Sequence, residues 1–364
     1  MNENIWKKVA RRIVKAGGLP FPVSDTLVKI CQLLIGEEEG KFIASHFRKS
    51  SMTLDQLVKE SNMNVNTIKK ILESLIDSGV AAPYPSTSTG ENVYYLAGPV
   101  PGIFERVFMK GEKTEKYIKL AHLFEQYFKD IGDGYQRDYD NAMKIFKQFP
   151  PIYRIVPVEE EIKEHQELIL PFEEVSKIVN KFDKIAVGTC YCRHQRELLD
   201  DPCKLNAPKK NCLFFGRTAQ FFLDYDIAEE ISKEEALEIV KEAEEYGLVH
   251  RAFHARQDIT KDEFALCNCC KCCCEVFHSY YNGSLPMNSL TSYKAIVDIE
   301  KCIGCETCVE KCPMETIELI EIYAKVNEQK CIGCGVCAHN CAQGAIKLER
   351  TGPREVIVPI ARRT

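Results

Sequence analysis

A doubled cysteine pattern near the end of the chain constrains the fold more than any other feature of the sequence. Each copy has the spacing C-x2-C-x2-C-x3-C. The cysteines are Cys302, Cys305, Cys308, Cys312, Cys331, Cys334, Cys337 and Cys341. Three thiolates at this spacing bind three irons of a [4Fe–4S] cluster, while the fourth cysteine binds the other cluster. The pattern therefore predicts two [4Fe–4S] clusters.

The same rule assigns four ligands to each cluster. Cluster I would be bound by Cys302, Cys305, Cys308 and Cys341. Cluster II would be bound by Cys331, Cys334, Cys337 and Cys312. Zinc sites also use C-x2-C spacing, but a doubled register of four cysteines favours iron–sulfur chemistry. Gly304, Gly333 and Gly335 lie between these cysteines, where the missing side chain lets backbone N–H groups approach inorganic sulfide.

Residues 294–349 resemble a bacterial-type two-cluster ferredoxin on the basis of these two runs. The resemblance implies strands paired around the clusters, beginning with residues 294–299, and single-electron transfer at low potential. Ala342 follows the last cysteine, where that family usually has proline. This difference removes some stiffness of the backbone but no ligand.

Ten more cysteines lie in the middle of the chain. They are Cys190, Cys192, Cys203, Cys212, Cys267, Cys269, Cys270, Cys272, Cys273 and Cys274. Cys267, Cys270 and Cys273 repeat the C-x2-C-x2-C spacing, and Cys269 and Cys272 form an interleaved pair. A cubane could take three ligands from this run and a fourth from the earlier cysteines, which predicts one or two further clusters. Ten thiols exceed the eight that two cubanes need, so an enlarged cluster, free thiols and structural zinc remain alternatives.

Positively charged side chains lie beside the first of these cysteines. Arg193, His194 and Arg196 would offset the negative charge of thiolates and cluster, or else form a solvated face. His278 could be a ligand, but a surface histidine at a helix start is the more typical interpretation. Cys31 lies on the apolar face of a predicted N-terminal helix, where we expect it only to pack.

The first hundred residues predict a helix–turn–helix followed by a hairpin. Helices are predicted over residues 24–35, 53–60 and 65–77, with a break at 36–40, and strands over 80–82 and 92–96 flanking a turn at 85–90. This order resembles the winged-helix fold over residues 20–98. The resemblance implies DNA contacts from the second helix, for which the candidates are Asn64, Asn66, Thr67, Lys69 and Lys70. Twelve Lys and Arg against ten Asp and Glu in residues 1–100 are a weak basic footprint, so packing or protein docking is an equal alternative.

Composition excludes several classes of protein. A chain of 364 residues with 45% hydrophobic residues can build its own cores, so its 19 cysteines do not indicate a disulfide scaffold. A net charge of −5 gives no general attraction to nucleic acid or membrane. No apolar run approaches the ~18–20 residues of a membrane span, and the basic N-terminus breaks before an export signal forms, which predicts a cytoplasmic location. Phosphate-binding loops, dinucleotide fingerprints and nucleophile elbows are absent from the sequence, so enzyme activity stays open.

These observations predict a multidomain α+β protein. The expected divisions are a winged-helix-like domain at 1–100, a helical connector at 101–150, a cysteine-rich α/β iron–sulfur domain at 151–290, a two-cluster ferredoxin domain at 291–349 and a tail at 350–364. The β-prone segment at 355–360 would add an edge strand or dock on a redox partner.

The favoured function is electron transfer through the ferredoxin module and further clusters of the middle domain. The order of the motifs also resembles 4Fe–4S-binding proteins of anaerobes, and this resemblance implies clusters rather than a reaction. One alternative is a reductase with an open iron site in the middle domain. Another is a redox-sensing winged-helix transcription regulator. The expected partner is a redox protein; DNA is a less favoured one, and the oligomeric state is open.

Overall fold

The computed structural model describes residues 3–86, 90–163, 168–254 and 261–363. The chain divides into two compact units. Unit 1 comprises Met1–Gly134 and His194–Asp201, and unit 2 comprises Tyr135–Arg193 and Pro202–Thr364. The five domains predicted from the sequence are a finer division than these two units, and they stay predictions.

Unit 1 is mainly helical and contains one small sheet. Its helices, the last of which extends beyond the unit, are α1 (Glu3–Gly17), α2 (Asp25–Leu34), α3 (Glu37–His46), α4 (Leu54–Ser61), α5 (Val65–Asp77), α6 (Ile103–Met109) and α7 (Glu115–Arg137). Its strands are β1 (Ser51–Thr53), β2 (Ala81–Pro85) and β3 (Asn92–Leu96). The sheet has the order β1-β3-β2 with antiparallel pairing, and it confirms the predicted hairpin. Residues 87–89 of the predicted turn lie outside the described residues.

Capping side chains fix the predicted helix starts. Thr53 caps α4 and forms a capping box with Gln56, and Asn64 caps α5. The predicted break at 36–40 is wrong, because Glu37 begins α3. Three consecutive glutamates occupy the first turn of that helix, where the positive end of the helix dipole stabilises carboxylates. Val65, the first residue of α5, is 40% exposed.

The aromatic residues of the helical segment form a core. The ring of Phe104 lies 5.2 to 5.3 Å from the rings of Phe108, Phe124 and Phe128 in edge-on arrangements. All four side chains are buried. Edge-to-face contacts of this kind stabilise packing, so these aromatic side chains form part of the structural core.

Unit 2 is built on an eight-stranded sheet. Its strands are β4 (Tyr153–Val156), β5 (Ile185–Thr189), β6 (Lys210–Phe215), β7 (Ala228–Glu230), β8 (Val249–His254), β9 (Glu263–Cys269), β10 (Met287–Val297) and β13 (Ile346–Val358). Their order is β13-β10-β4-β8-β9-β6-β5-β7. Every adjacent pair is antiparallel except β4 and β10. The predicted α/β character of the middle region is therefore corrected to an antiparallel sheet with helices packed on it.

Further helices follow along the chain, and a small hairpin completes the unit. The helices are α8 (Tyr139–Phe146), α9 (Glu160–Lys163), α10 (Val175–Asn180), α11 (Tyr191–Leu198), whose residues from His194 onward belong to unit 1, α12 (Gly216–Asp224), α13 (Lys233–Glu245), α14 (Glu275–Tyr281), α15 (Thr307–Lys311) and α16 (Val336–His339). The hairpin is formed by β11 (Ile317–Ile320) and β12 (Tyr323–Val326). Helices α10 and α13 bury apolar side chains against strands β5, β6, β8 and β9.

One strand connects the middle region to the ferredoxin-like region. Strand β10 crosses the predicted boundary at residue 290 and pairs along its length with β13, which contains most of the predicted tail segment. That segment therefore lies in an edge strand of the large sheet. Among the described residues, the helices are too short or too polar to cross a bilayer.

Candidate metal centres

The four cysteines predicted to bind cluster II surround one cavity in unit 2. Cys312, Cys331, Cys334 and Cys337 are buried and line it together with apolar side chains. The backbone N–H of Ala295 donates to Cys331 Sγ at 3.4 Å. Burial raises the pKa of Cys334 to about 12, so its thiolate forms readily only when a bound cation balances the charge.

Glycines let the two cysteine loops approach neighbouring backbone closely. Gly333 has φ +65°, and a Cβ at this position would collide with the backbone carbonyl oxygen of Tyr293. Gly304 has φ +67°, and a Cβ there would come within 2.7 Å of the carbonyl oxygen of Ile322. Both backbones thus need glycine for conformation and for space, as expected of a loop that wraps closely around a cluster.

The four cysteines predicted for cluster I also lie together. The charge of Cys308 interacts with those of Cys302, Cys305 and Cys341. The backbone N–H of Ala324 donates to Cys302 Sγ at 3.4 Å. Cys312 thus lines one cavity with Cys331, Cys334 and Cys337, and the charge of Cys341 interacts with that of Cys308, as the crossed ligand rule predicts.

The two sets differ in exposure. All four cysteines of the cluster II set are buried, whereas Cys305 is exposed and Cys302 and Cys341 are partly exposed. Hydrogen bonds from Thr307 hold the pKa of Cys305 below its ordinary value. The donor sets and backbone N–H groups of both sites fit [4Fe–4S] clusters, whose sulfurs accept such hydrogen bonds.

Four middle cysteines converge on one point. We call Cys203, Cys270, Cys272 and Cys273 the cysteine quartet. Their sulfur atoms all lie within 4.8 Å of one another. Cys203 Sγ lies 3.8 Å from the sulfurs of Cys270 and Cys272, and Cys272 Sγ lies 3.7 Å from that of Cys273.

The other six middle cysteines form a second group, which we call the six-cysteine ring. All six are buried. Successive thiols interact in the order Cys267, Cys212, Cys190, Cys192, Cys274 and Cys269. The charges of Cys269 and Cys267 also interact, which closes the ring.

This division differs from the predicted spacing motif. Cys267 lies in the ring, whereas Cys270 and Cys273 lie in the quartet, so these three cysteines do not share one centre. The interleaved pair is separated in the same way, because Cys269 lies in the ring and Cys272 in the quartet. The reason is strand geometry: Cys267 and Cys269 are alternate residues of β9 and share a face, whereas Cys270, Cys272 and Cys273 follow after the strand ends.

Two buried arginines accompany these thiols. Arg193 donates to the carbonyl oxygens of Pro208 and Asn268, both at 3.0 Å, and interacts electrostatically with both groups of cysteines. Although burial acts in the opposite direction, the cysteines raise the pKa of Arg193. Arg251 is fully buried, with Nη1 3.9 Å from Cys274 Sγ. Sequence reasoning missed Arg251, because only the pairing of β8 with β9 brings it to the cysteines.

The other candidates have different surroundings. Within unit 1, His194 Nε2 lies 2.9 Å from the carbonyl oxygen of Glu112, and Arg196 pairs with Glu125 and Asp201. Of the three predicted cations, Arg193 is therefore the one that faces the thiols. His278 lies inside α14 near Asn282.

Cys31 is fully buried in α2, as expected for a packing residue. The DNA-contact candidates lie at the start of α5. Asn64, Asn66, Lys69 and Lys70 are exposed, and Thr67 is partly exposed.

Comparison with known proteins agrees with the C-terminal geometry. Residues 294–350 match the family model of the 4Fe-4S dicluster domain. This part of the chain is a ferredoxin-like module that binds iron–sulfur clusters.

A curated relative gives a shorter match. Over 27 residues the chain is 59% identical to Ferredoxin-2 of Desulfomicrobium norvegicum, a match that covers 7% of this chain and 46% of that ferredoxin. The chain thus spans about half the length of that relative. No solved structure matches the chain.

Proposed function

We propose that the chain carries single electrons to or from a redox partner protein. The observation that supports this most is the crossed arrangement of eight cysteines within a matched dicluster domain. Bound [4Fe–4S] clusters would supply reversible one-electron chemistry at these two sites. The chain contributes thiolate ligands, N–H donors and a graded exposure from the cluster I set to the cluster II set.

The surface around the cluster I set is suited to a partner. Three isoleucines are strongly exposed there: Ile299 at 61%, Ile303 at 65% and Ile322 at 75%. Ile303 follows Cys302 directly, and Ile322 is next to the loop of Gly304. Exposed apolar side chains beside an exposed redox site favour short-lived docking that brings the partner close to the cluster.

The six-cysteine ring is the proposed site of a further iron–sulfur cluster. Its thiols are buried, and a buried guanidinium faces them. Within the described part of the chain, Nε and Nη2 of Arg251 have no hydrogen-bond acceptor. Inorganic sulfides of a cluster would accept these hydrogen bonds and would balance the positive charge. The orphaned N–H groups therefore support an anionic occupant of the ring.

A second candidate function involves the N-terminal region. The order β1, α4, α5, β2 and β3 has the helix–helix–hairpin sequence expected of a winged helix, and the polar start of α5 is exposed. DNA binding through α5 would make the chain a redox-sensing regulator. Such binding would weaken steeply with salt, because phosphate contacts release counterions. Fluorescence anisotropy with mixed-sequence duplex DNA at two salt concentrations tests it, with Lys69→Ala and Lys70→Ala as the informative variants.

Anaerobic reduction tests the electron-transfer proposal. We expect dithionite to reduce the purified protein and the reduced protein to pass electrons rapidly to cytochrome c. We expect Ile303→Ser and Ile322→Ser to slow that transfer several-fold through weaker docking. Val23→Ser, which changes an exposed apolar residue of unit 1, is the control and should leave the rate unchanged. Equal rates in all variants would contradict the docking surface.

A further inference from the structure

We propose that the cysteine quartet binds a single zinc ion through four thiolates in a closed tetrahedral site. The four ligands are Cys203, Cys270, Cys272 and Cys273. This site is separate from the proposed iron–sulfur centres and has a structural task. The inference goes beyond the electron-transfer function and does not depend on it.

The sulfur–sulfur distances match one shared ion. A tetrahedron with metal–sulfur bonds of about 2.3 Å has edges of about 3.8 Å. Three of the sulfur–sulfur distances in the quartet are 3.7, 3.8 and 3.8 Å, and the remaining ones are within 4.8 Å. Four thiolates at these separations can each reach the same central ion.

The iron–sulfur sites have a different geometry. In a cubane each thiolate binds its own iron, so the four sulfurs stand outside the cluster and farther apart than around one ion. Among the described residues, the quartet is the only group of three or more metal-ligating side chains whose ligand atoms all lie within 4.8 Å. The cluster I set, the cluster II set and the six-cysteine ring do not meet this condition, so the quartet is distinct.

The surroundings favour a closed site. Cys270 and Cys273 are buried and pack against the apolar side chains of Ala207, Ala243 and Leu248, whereas Cys203 and Cys272 are partly exposed. Four thiolates fill the coordination of zinc, so no position is open for a substrate. The complex would carry a net charge of about −2. Arg193 interacts with Cys270 and Cys203 and would balance part of this charge.

The position of the ligands indicates what the ion would hold. Cys203 lies in the segment between α11 and β6, and the other three ligands lie in the turn between β9 and α14. A zinc ion would fasten this segment to the turn. The same turn continues into Cys274 of the six-cysteine ring, so the ion would also fix one side of that ring.

Metal analysis of the whole chain tests this proposal. We expect about one zinc per chain after anaerobic purification, and X-ray absorption at the zinc edge to show four sulfurs at about 2.3 Å. A chain without zinc, or zinc bound by nitrogen or oxygen, would overturn the proposal. This measurement uses the unmodified protein and so does not depend on whether a variant folds.

A pair of variants assigns the ion to the quartet. We expect Cys272→Ala to reduce zinc content at least tenfold while iron and sulfide stay unchanged. Cys31→Ala removes a buried cysteine outside every group, and zinc should stay at the wild-type level. Loss of about four irons and four sulfides from Cys272→Ala, with zinc retained, would show a cubane at the quartet and overturn the inference.

Discussion

Arg251 shows how a single residue can set the chemistry of a buried site. Its guanidinium lies over the rings of Tyr153 and Phe277, at 4.7 and 4.2 Å from their centroids, and beside Cys274. Against the effect of burial, Tyr153 and nearby cysteines raise its pKa, so it stays charged. A fixed positive charge stabilises the more negative, reduced state of a neighbouring cluster.

We expect Arg251→Gln to lower the reduction potential of the cluster proposed for the six-cysteine ring. A unit charge about 4 Å away contributes about 4 kcal/mol at an effective dielectric constant of 20, which corresponds to about 170 mV for a one-electron couple and sets the upper bound of the expected shift. EPR-monitored redox titration measures it. Arg217→Gln removes an exposed arginine and serves as control. An unchanged potential in Arg251→Gln would argue against a cluster in the ring.

Glycine positions near cluster II allow a matched comparison. We expect Gly333→Ala to lose most of the iron of cluster II, about four atoms per chain, because the new Cβ meets the carbonyl of Tyr293 at positive φ. Gly344 also has positive φ, +57°, but has open space around it. Gly344→Ala should therefore cost about 1 kcal/mol of stability and no iron. Equal iron in both variants would show that the close contact does not shape the site.

At the level of residues, the sequence predicted which side chains could bind metal more reliably than it predicted which of them share one centre. The x2, x2, x3 spacing assigns the C-terminal cysteines because the loop itself wraps around a cluster. The middle cysteines have no such local rule. Their division into quartet and ring depends on where β9 ends and on how the chain returns to Cys203, which are tertiary facts.

Among the elements, β13 pairs with β10, the strand whose Ala295 donates to Cys331. Its residue Arg350 forms a bidentate pair with the buried carboxylate of Glu173, with distances of 2.9 to 3.2 Å, and Tyr293 of β10 donates to the same carboxylate at 3.0 Å. Burial alone would raise the pKa of Glu173, but these hydrogen bonds hold it below its ordinary value. The pair thus fastens the edge strand that flanks the cluster II loop.

We expect Glu173→Gln to lower the free energy of unfolding by on the order of 2 kcal/mol. A carboxylate with a lowered pKa contributes stability above its unfolded pKa of about 4.3 and loses it as the pH falls through the folded pKa. The difference in the free energy of unfolding between the variant and the unmodified protein should therefore be constant between pH 7 and pH 5. Urea unfolding at these two values measures it, and a difference that shrinks by pH 5 would contradict the assignment.

The elements themselves were largely predictable, and the errors had local causes. Thr53 and Asn64 cap the helices predicted over residues 53–60 and 65–77. The acidic run at Glu37 was mistaken for a break because the glycines on either side resemble a turn signal. Sheet topology was not predictable, because antiparallel strands far apart in sequence, such as β4 and β8, pair through tertiary contacts.

For the whole molecule, the metal inventory distinguishes the proposals. Two clusters in the ferredoxin-like module would account for about eight irons, and the proposed cluster in the six-cysteine ring would add at least about four more. The quartet adds one zinc and no iron if it is a mononuclear site. Iron therefore reports on the electron-transfer proposal and zinc on the quartet, so either can fail without the other.

The most direct test of the account is iron, acid-labile sulfide and zinc per chain on anaerobically purified protein, with EPR after reduction by dithionite. We predict at least about twelve irons with matching sulfide, one zinc, and signals from interacting reduced clusters. About eight irons, with no signal beyond that of the ferredoxin-like module, would contradict a cluster in the six-cysteine ring. Iron and sulfide too low for even one cubane would contradict the electron-transfer function itself.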